Sequence, residues 1–157
     1  MSAILQQMGY FQQLCGFPND GRDWAAGWSA GTNNPGYAFN GNETQGSGHN
    51  GGTFSCTYTF SPPLTIPGGT AVRVKVQCGA SSGQVGGTGN MIVIDGSDIS
   101  GAMKSAGAYT TPTWFTVTSE VGGTFNTIGV NGVSGSTNPG ISAIEIGGVK
   151  LETGACS

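Results

Sequence analysis

With 157 residues the chain is long enough for one domain with a real core and too short for two comfortable ones. Glycine supplies 30 positions, charged residues only 8 %, and the formal charge is -3 with five Lys or Arg, so there is no basic stripe to neutralise a phosphate backbone and nucleic acid is not an expected partner. No stretch reaches the ~20 apolar residues of a membrane span, and the opening MSAILQQMGYFQQLC has neither the basic start nor the unbroken apolar core of a signal peptide, so a soluble protein outside the general secretory route and away from membranes is expected.

Residues 1–19 read differently from the rest. Ile4, Leu5, Met8, Phe11 and Leu14 fall near helical spacing among glutamines, with Tyr10 beside them. Gly9 weakens a helix there, and Gly16 and Pro18 stop it, so an extended arm fits as well as a short amphipathic one. Either form leaves apolar side chains in need of cover, from this domain or from a neighbour. The second case makes Ile4, Leu5, Met8, Tyr10, Phe11 and Leu14 a docking segment, followed by a sandwich domain over residues 20–157.

Residues 19–52 are rich in turn formers interleaved with Trp24, Trp28, Tyr37 and Phe39. Residues 54–60 (FSCTYTF) alternate cleanly, and Pro62-Pro63 should close that strand. Residues 71–78 (AVRVKVQC) alternate equally well, with Arg73 and Lys75 on the wet face, and a shorter apolar run at 91–94 ends at the turn Asp95-Gly96. Residues 114–121 and 125–130 flank Gly122-Gly123, which predicts a hairpin. The last pair, residues 144–146 and 149–151, flanks Gly147-Gly148 and sets Glu145 and Lys150 on one wet face as a charge pair. About eight strands at this spacing predict an all-β antiparallel sandwich of jelly-roll type, with helix confined to the N-terminal arm.

The chemical inventory is thin. The cysteines, Cys15, Cys56, Cys78 and Cys156, are too far apart in sequence for a zinc or redox motif; Cys56 and Cys78 read as small buried hydrophobes, with a disulfide across neighbouring strands as the alternative. His49, the only histidine, lies in the loop-like run GSGHNGG without a nucleophile to serve. Asp95 and Asp98, like Asp20 and Asp23, read as turn residues that bond their own backbone. No catalytic set, metal site or cofactor is expected. Aromatic residues beside polar loops remain as sugar contacts, because a pyranose stacks its C–H face on an aromatic ring while amides bond its hydroxyls. Trp24, Tyr37, Asn40, Asn42 and Tyr109 are the candidates, with Trp24 and Tyr109 expected at the surface and Trp28, Phe39 and Trp114 in the core.

The run YAFNGNETQGSG (residues 37–48), the strand with its approach LTIPGGTAVRVKVQCGAS and the closing SAIEIGGVKLETG together resemble a domain of structural proteins in tailed bacteriophages of marine and cyanobacterial hosts. Those domains are similar to galactose-binding or discoidin-type jelly rolls, and the likeness covers residues 28–154. Two positions depart from its pattern: Asn40 and Gly147 stand where the family carries Asp, which removes carboxylates that a calcium site would use. The resemblance implies a non-enzymatic virion protein, assembled in the host cytoplasm and placed on the capsid surface as decoration, in contact with other virion proteins and with copies of itself, in threes by analogy. The alternative it implies is a tail-fibre or tail-associated module that binds host-surface glycans.

Overall fold

Alternating side chains need two sheets to bury one face of each strand, and the computed structural model shows two. It describes residues 17–48, 54–79, 92–98, 112–132 and 138–154. Nine strands lie among them: β1 (Ser47–Gly48), β2 (Phe54–Thr65), β3 (Val72–Gly79), β4 (Ile92–Ile94), β5 (Ser97–Asp98), β6 (Thr113–Thr116), β7 (Thr124–Gly132), β8 (Asn138–Ile146) and β9 (Val149–Lys150). One sheet runs β1-β8-β3-β6 with β9 also on β8, the other β2-β7-β4-β5, and every pairing is antiparallel. The all-β sandwich expected from the alternation is the fold.

Register explains the core. In the five-stranded sheet Val72 faces Ile146, Val74 lies between Ile144 and Phe115, and Val76 faces Ile141. In the four-stranded sheet Tyr58, Ile128 and Ile94 form one row and Cys56, Val130 and Ile92 the next. These side chains are buried, apart from Phe115, which packs half-covered against them. Each such aliphatic side chain contributes about 1.5–3 kcal/mol by leaving water, so the two rows set the register: a one-residue slip would turn them all outward. Aromatic rings close one end of this core. Phe39 lies 5.1 Å from Tyr58, Tyr58 4.7 Å from Phe60 and Phe60 4.4 Å from Phe125.

Several expectations change. β2 does not stop at Pro62-Pro63 but continues to Thr65 past an irregularity between Thr59 and Leu64; it ends the sheet order, where missing amide donors do least harm. Gly122-Gly123 is not a hairpin turn. β6 belongs to the five-stranded sheet and β7 to the four-stranded one, and the chain passes between them through a single helical turn, α1 (Thr118–Val121), with Gly122 at φ +63°. Thr118 Oγ1 accepts from the Val72 amide at 3.0 Å and the Val117 amide donates to the Val72 carbonyl at 2.8 Å, contacts with a distant strand that local spacing does not reveal. Helix is therefore not confined to the arm: besides α1 there are 3-10 turns at Trp24–Gly27 and Tyr37–Phe39.

The terminal hairpin forms as expected, with Gly147 and Gly148 at φ +61° and +84°, the pair of left-handed residues that a two-residue turn between twisted strands requires. The domain boundary shifts. Asn19 is buried, its Nδ2 donates to the Lys150 carbonyl at 2.8 Å and its Oδ1 accepts from the Glu152 amide at 3.0 Å, so the sandwich already includes residue 19. The docking residues Ile4, Leu5, Met8, Tyr10, Phe11 and Leu14 lie outside the described residues. Cys56 is a buried free thiol, and β2 and β3 lie in different sheets, so Cys56 and Cys78 are not on neighbouring strands.

Candidate functional site

The charged residues are not scattered. On the outer face of the five-stranded sheet, Arg73 and Lys75 of β3 stand beside Glu145 of β8 and Trp114 of β6, because Arg73 pairs in register with both Glu145 and Thr116 and Lys75 with Trp114. Arg73 meets Glu145 in a fork, Nε to Oε1 and Nη2 to Oε2 at 2.8 Å each. Lys75 Nζ reaches Glu43 Oε2 at 2.5 Å, and Lys150 Nζ reaches Glu43 Oε1 at 2.7 Å. The Arg73 guanidinium carbon is 4.8 Å and the Lys75 ammonium 5.6 Å from the centre of the Trp114 ring, both within cation–π range. Ala143 is the register partner of Lys75 and is buried, a small residue under these long side chains.

Glu43 arrives from a loop, and the loop is clamped. The Ser47 hydroxyl accepts from the Ala38 amide at 2.9 Å and lies 2.8 Å from the Asn34 carbonyl, while the Thr153 amide donates to the Phe39 carbonyl at 3.0 Å. Within the loop Asn40 Oδ1 accepts from the Asn42 amide and Asn42 Oδ1 from the Thr44 amide and hydroxyl, side chains that fold the turn. With its place fixed, Glu43 keeps both lysines as partners. The Lys150 and Lys75 ammonium groups hold its carboxyl down from an ordinary 4.5 to about 2. The terminal charge pair is thus real in position and different in partners: Glu145 and Lys150 do face each other in register, but Glu145 binds Arg73 and Lys150 binds Glu43.

The sugar candidates are not gathered by the fold. Trp24 is fully buried, which removes it as a surface contact: its ring packs on Phe39 and Phe60, and the Arg22 guanidinium, held by Asp20 and by the Pro62 carbonyl, covers it at 4.7 Å. Tyr37 is half-buried in its 3-10 turn, and Asn40 and Asn42 are exposed at the loop tip. Tyr109 and His49 lie outside the described residues. Trp114, expected in the core, is instead half-exposed on the charged face, and Trp28 is half-covered at the core's margin, while Phe39 is buried as expected. A signal for the Trp114 face was present in the sequence: Arg73 and Lys75 alternate on one strand, and any strand paired there must set an alternate residue beside them.

Two clefts flank Arg22, one of about 320 Å³ lined by Phe17, Pro18, Leu64 and their neighbours, the other of about 140 Å³ against Tyr58 and Gly27. Their carboxylates are occupied structurally, Asp20 by Arg22 and Asp23 as the cap of the Ala25 amide. Asp95 does not bond its own turn; its Oδ1 accepts from the Asn126 and Thr127 amides of β7 at 3.0 and 2.6 Å. Among the described residues no group of three His, Cys, Asp or Glu side chains is placed to hold a metal ion.

No protein-family model, no curated protein and no solved structure matches this chain.

Proposed function

We propose that this domain is a non-enzymatic virion structural protein of a bacteriophage, a decoration or cement protein of the capsid surface held by its N-terminal arm and by symmetric contacts with copies of itself. One structural observation supports the assembly part. The outer face of the four-stranded sheet carries Ser55, Thr57 and Thr59 on β2, Thr127, Gly129 and Asn131 on β7 and Val93 on β4; the one charged side chain in these rows is Asp98 of the edge strand β5, beside Val93. With its one carboxylate at the β5 edge, the hydroxyl-rich part of this face on β2 and β7 meets a copy of itself with little like-charge repulsion and with many neutral hydrogen bonds available.

The start of the described residues is fixed on the sandwich. Phe17 is 47 % exposed while Asn19, two residues on, is pinned to the closing hairpin. The virion setting itself comes from the resemblance of residues 28–154 to phage domains. The test is incorporation. Purified particles that carry the protein should lose it when residues 1–16 are deleted, and the oligomer released gently from particles, expected to be a trimer by native mass spectrometry, should dissociate on Thr57→Arg plus Thr59→Arg. Full incorporation of the truncated chain, or a monomer in all preparations, would refute the proposal.

A further inference from the structure

The Trp114 face has a second property that a purely structural network does not need: Trp114 remains partly exposed while two cations stand beside its ring. The carboxylates that hold those cations approach from the β8 side of β3, Glu145 on β8 itself and Glu43 from the loop shared with Lys150 of β9. The indole lies on the β6 side. There the neighbouring polar group is the exposed Thr116, register partner of Arg73. Arg73 spends Nε and Nη2 on Glu145 and its side chain is still 39 % exposed, and Lys150 is 35 % exposed.

These features complement one kind of ligand. A pyranose ring offers an apolar C–H face to the indole, and a carboxylate on that ring is met by a guanidinium whose position is already set by Glu145. A sugar hydroxyl finds a hydroxyl partner in Thr116. Three of the five Lys and Arg of a chain with formal charge -3 are gathered here against two carboxylates, Glu145 and Glu43, and this local excess of positive charge favours an acidic ligand over a neutral one at the encounter. Preorganisation lowers the ordering cost, since the cations are locked by salt bridges before any ligand arrives.

We propose that the outer face of the five-stranded sheet, with Trp114 as platform and Arg73 as anion contact, binds carboxylate-bearing saccharides, that is, uronic-acid or sialic-acid units of a glycan. This assignment does not depend on the virion reading, because it uses the sheet face opposite the one assigned to self-contact.

The experiment uses the full-length protein and a pair of probes that differ only in charge: an oligogalacturonate and its fully methyl-esterified form, titrated by calorimetry and by tryptophan fluorescence. Sialylated and desialylated oligosaccharides form a second pair, and polyglutamate of matched charge serves as a non-sugar anion. Binding of either acidic saccharide in preference to its neutral partner, weakened by salt, is the expected result. Trp114→Ala should weaken binding about tenfold or more, the loss expected when an aromatic contact is removed, and Trp114→Phe should recover part of it. Thr116→Glu keeps an exposed site exposed and sets a carboxylate beside Arg73, so it should abolish the preference for the acidic probe with folding intact. Failure of the wild-type protein to bind either acidic probe, equal binding of the neutral probes or of polyglutamate, or an unaltered Thr116→Glu protein would each overturn the assignment.

Discussion

Replacing Glu43 by Gln removes the charge of the carboxylate that ties the loop to both β3 and β9 and keeps the size of the side chain; one of its two acceptor oxygens becomes a donating NH2, so one lysine loses its acceptor as well. The carboxyl is held from 4.5 down to about 2 by Lys150 and Lys75. In a medium without screening that difference is worth about 3.4 kcal/mol. Glu43 is 27 % exposed and both lysines reach water, so solvent reduces the contribution to about 1–1.5 kcal/mol. For a domain of this size the melting temperature should fall by about 3–5 °C at neutral pH.

The pH dependence follows from the direction of the change. A carboxyl whose folded value is depressed stabilises fully above its unfolded value, here 4.5, and loses that contribution as pH falls toward about 2. Thermal melts of wild type and Glu43→Gln, followed by circular dichroism at pH 7, 4 and 2, should therefore differ most at pH 7, converge between pH 4.5 and 2, and coincide once Glu43 is neutral. A gap that stays constant across this window would refute the reasoning, since it would show that the amide disrupts packing and that the ion pairs contribute nothing. A gap absent at pH 7 would equally refute it.

Other parts of the fold respond in different ways. Gly27→Ala would place a Cβ 2.5 Å from the Tyr58 ring and 2.7 Å from the Thr59 carbonyl, so a loss of about 1–3 kcal/mol in urea unfolding is expected, and a neutral result would show that the Trp24–Gly27 turn can move away. Asn19→Ala leaves the Lys150 carbonyl and the Glu152 amide without its side chain and should cost about 2 kcal/mol in the same assay, whereas deletion of residues 1–16 should cost little; a reversed order would assign the arm to the core. Cys56 should resist alkylation in the native protein and label fully on unfolding, as read by peptide mass spectrometry; rapid native labelling would contradict its burial.

Much of the fold was legible because strand alternation is local information. Residues 71–78 and the closing hairpin sit where their pattern places them, since Val72, Val74 and Val76 need one buried face and Gly147-Gly148 permits one tight turn. The misreadings share a cause. Whether Gly122-Gly123 turns a hairpin depends on what Thr118 meets, and it meets Val72, 46 residues away. Trp24 looked exposed because turn formers surround it, yet Arg22 seals it from outside. Of the candidate site, Arg73, Lys75, Glu145 and Lys150 were legible on their wet faces. That Glu43 joins Lys75 to Lys150 across 32 and 107 residues of sequence is a fact of sheet order, and sheet order is not written in any short window.

Sheet order also separates the two proposed roles. β3 and β9 carry the cations of the charged face and β8 its Glu145, while the matching rows of β2 and β7 offer Ser, Thr and Asn side chains, so the two sides of the sandwich differ chemically. If both surfaces bore mixed charge, stacking copies through one of them would meet repulsion, and the glycan face would compete with self-contact for the same partners. With the cation cluster on one sheet, a ring of copies joined through β2 and β7 of the other keeps each Trp114 face outward. Repetition around that ring then multiplies weak single-site binding through effective concentration. Affinity for a multivalent acidic glycan should therefore fall when Thr57→Arg plus Thr59→Arg breaks the ring, with single-site affinity for a short oligosaccharide unchanged. Equal losses for both ligands would show that the two faces are coupled and that the separation drawn from sheet order is wrong.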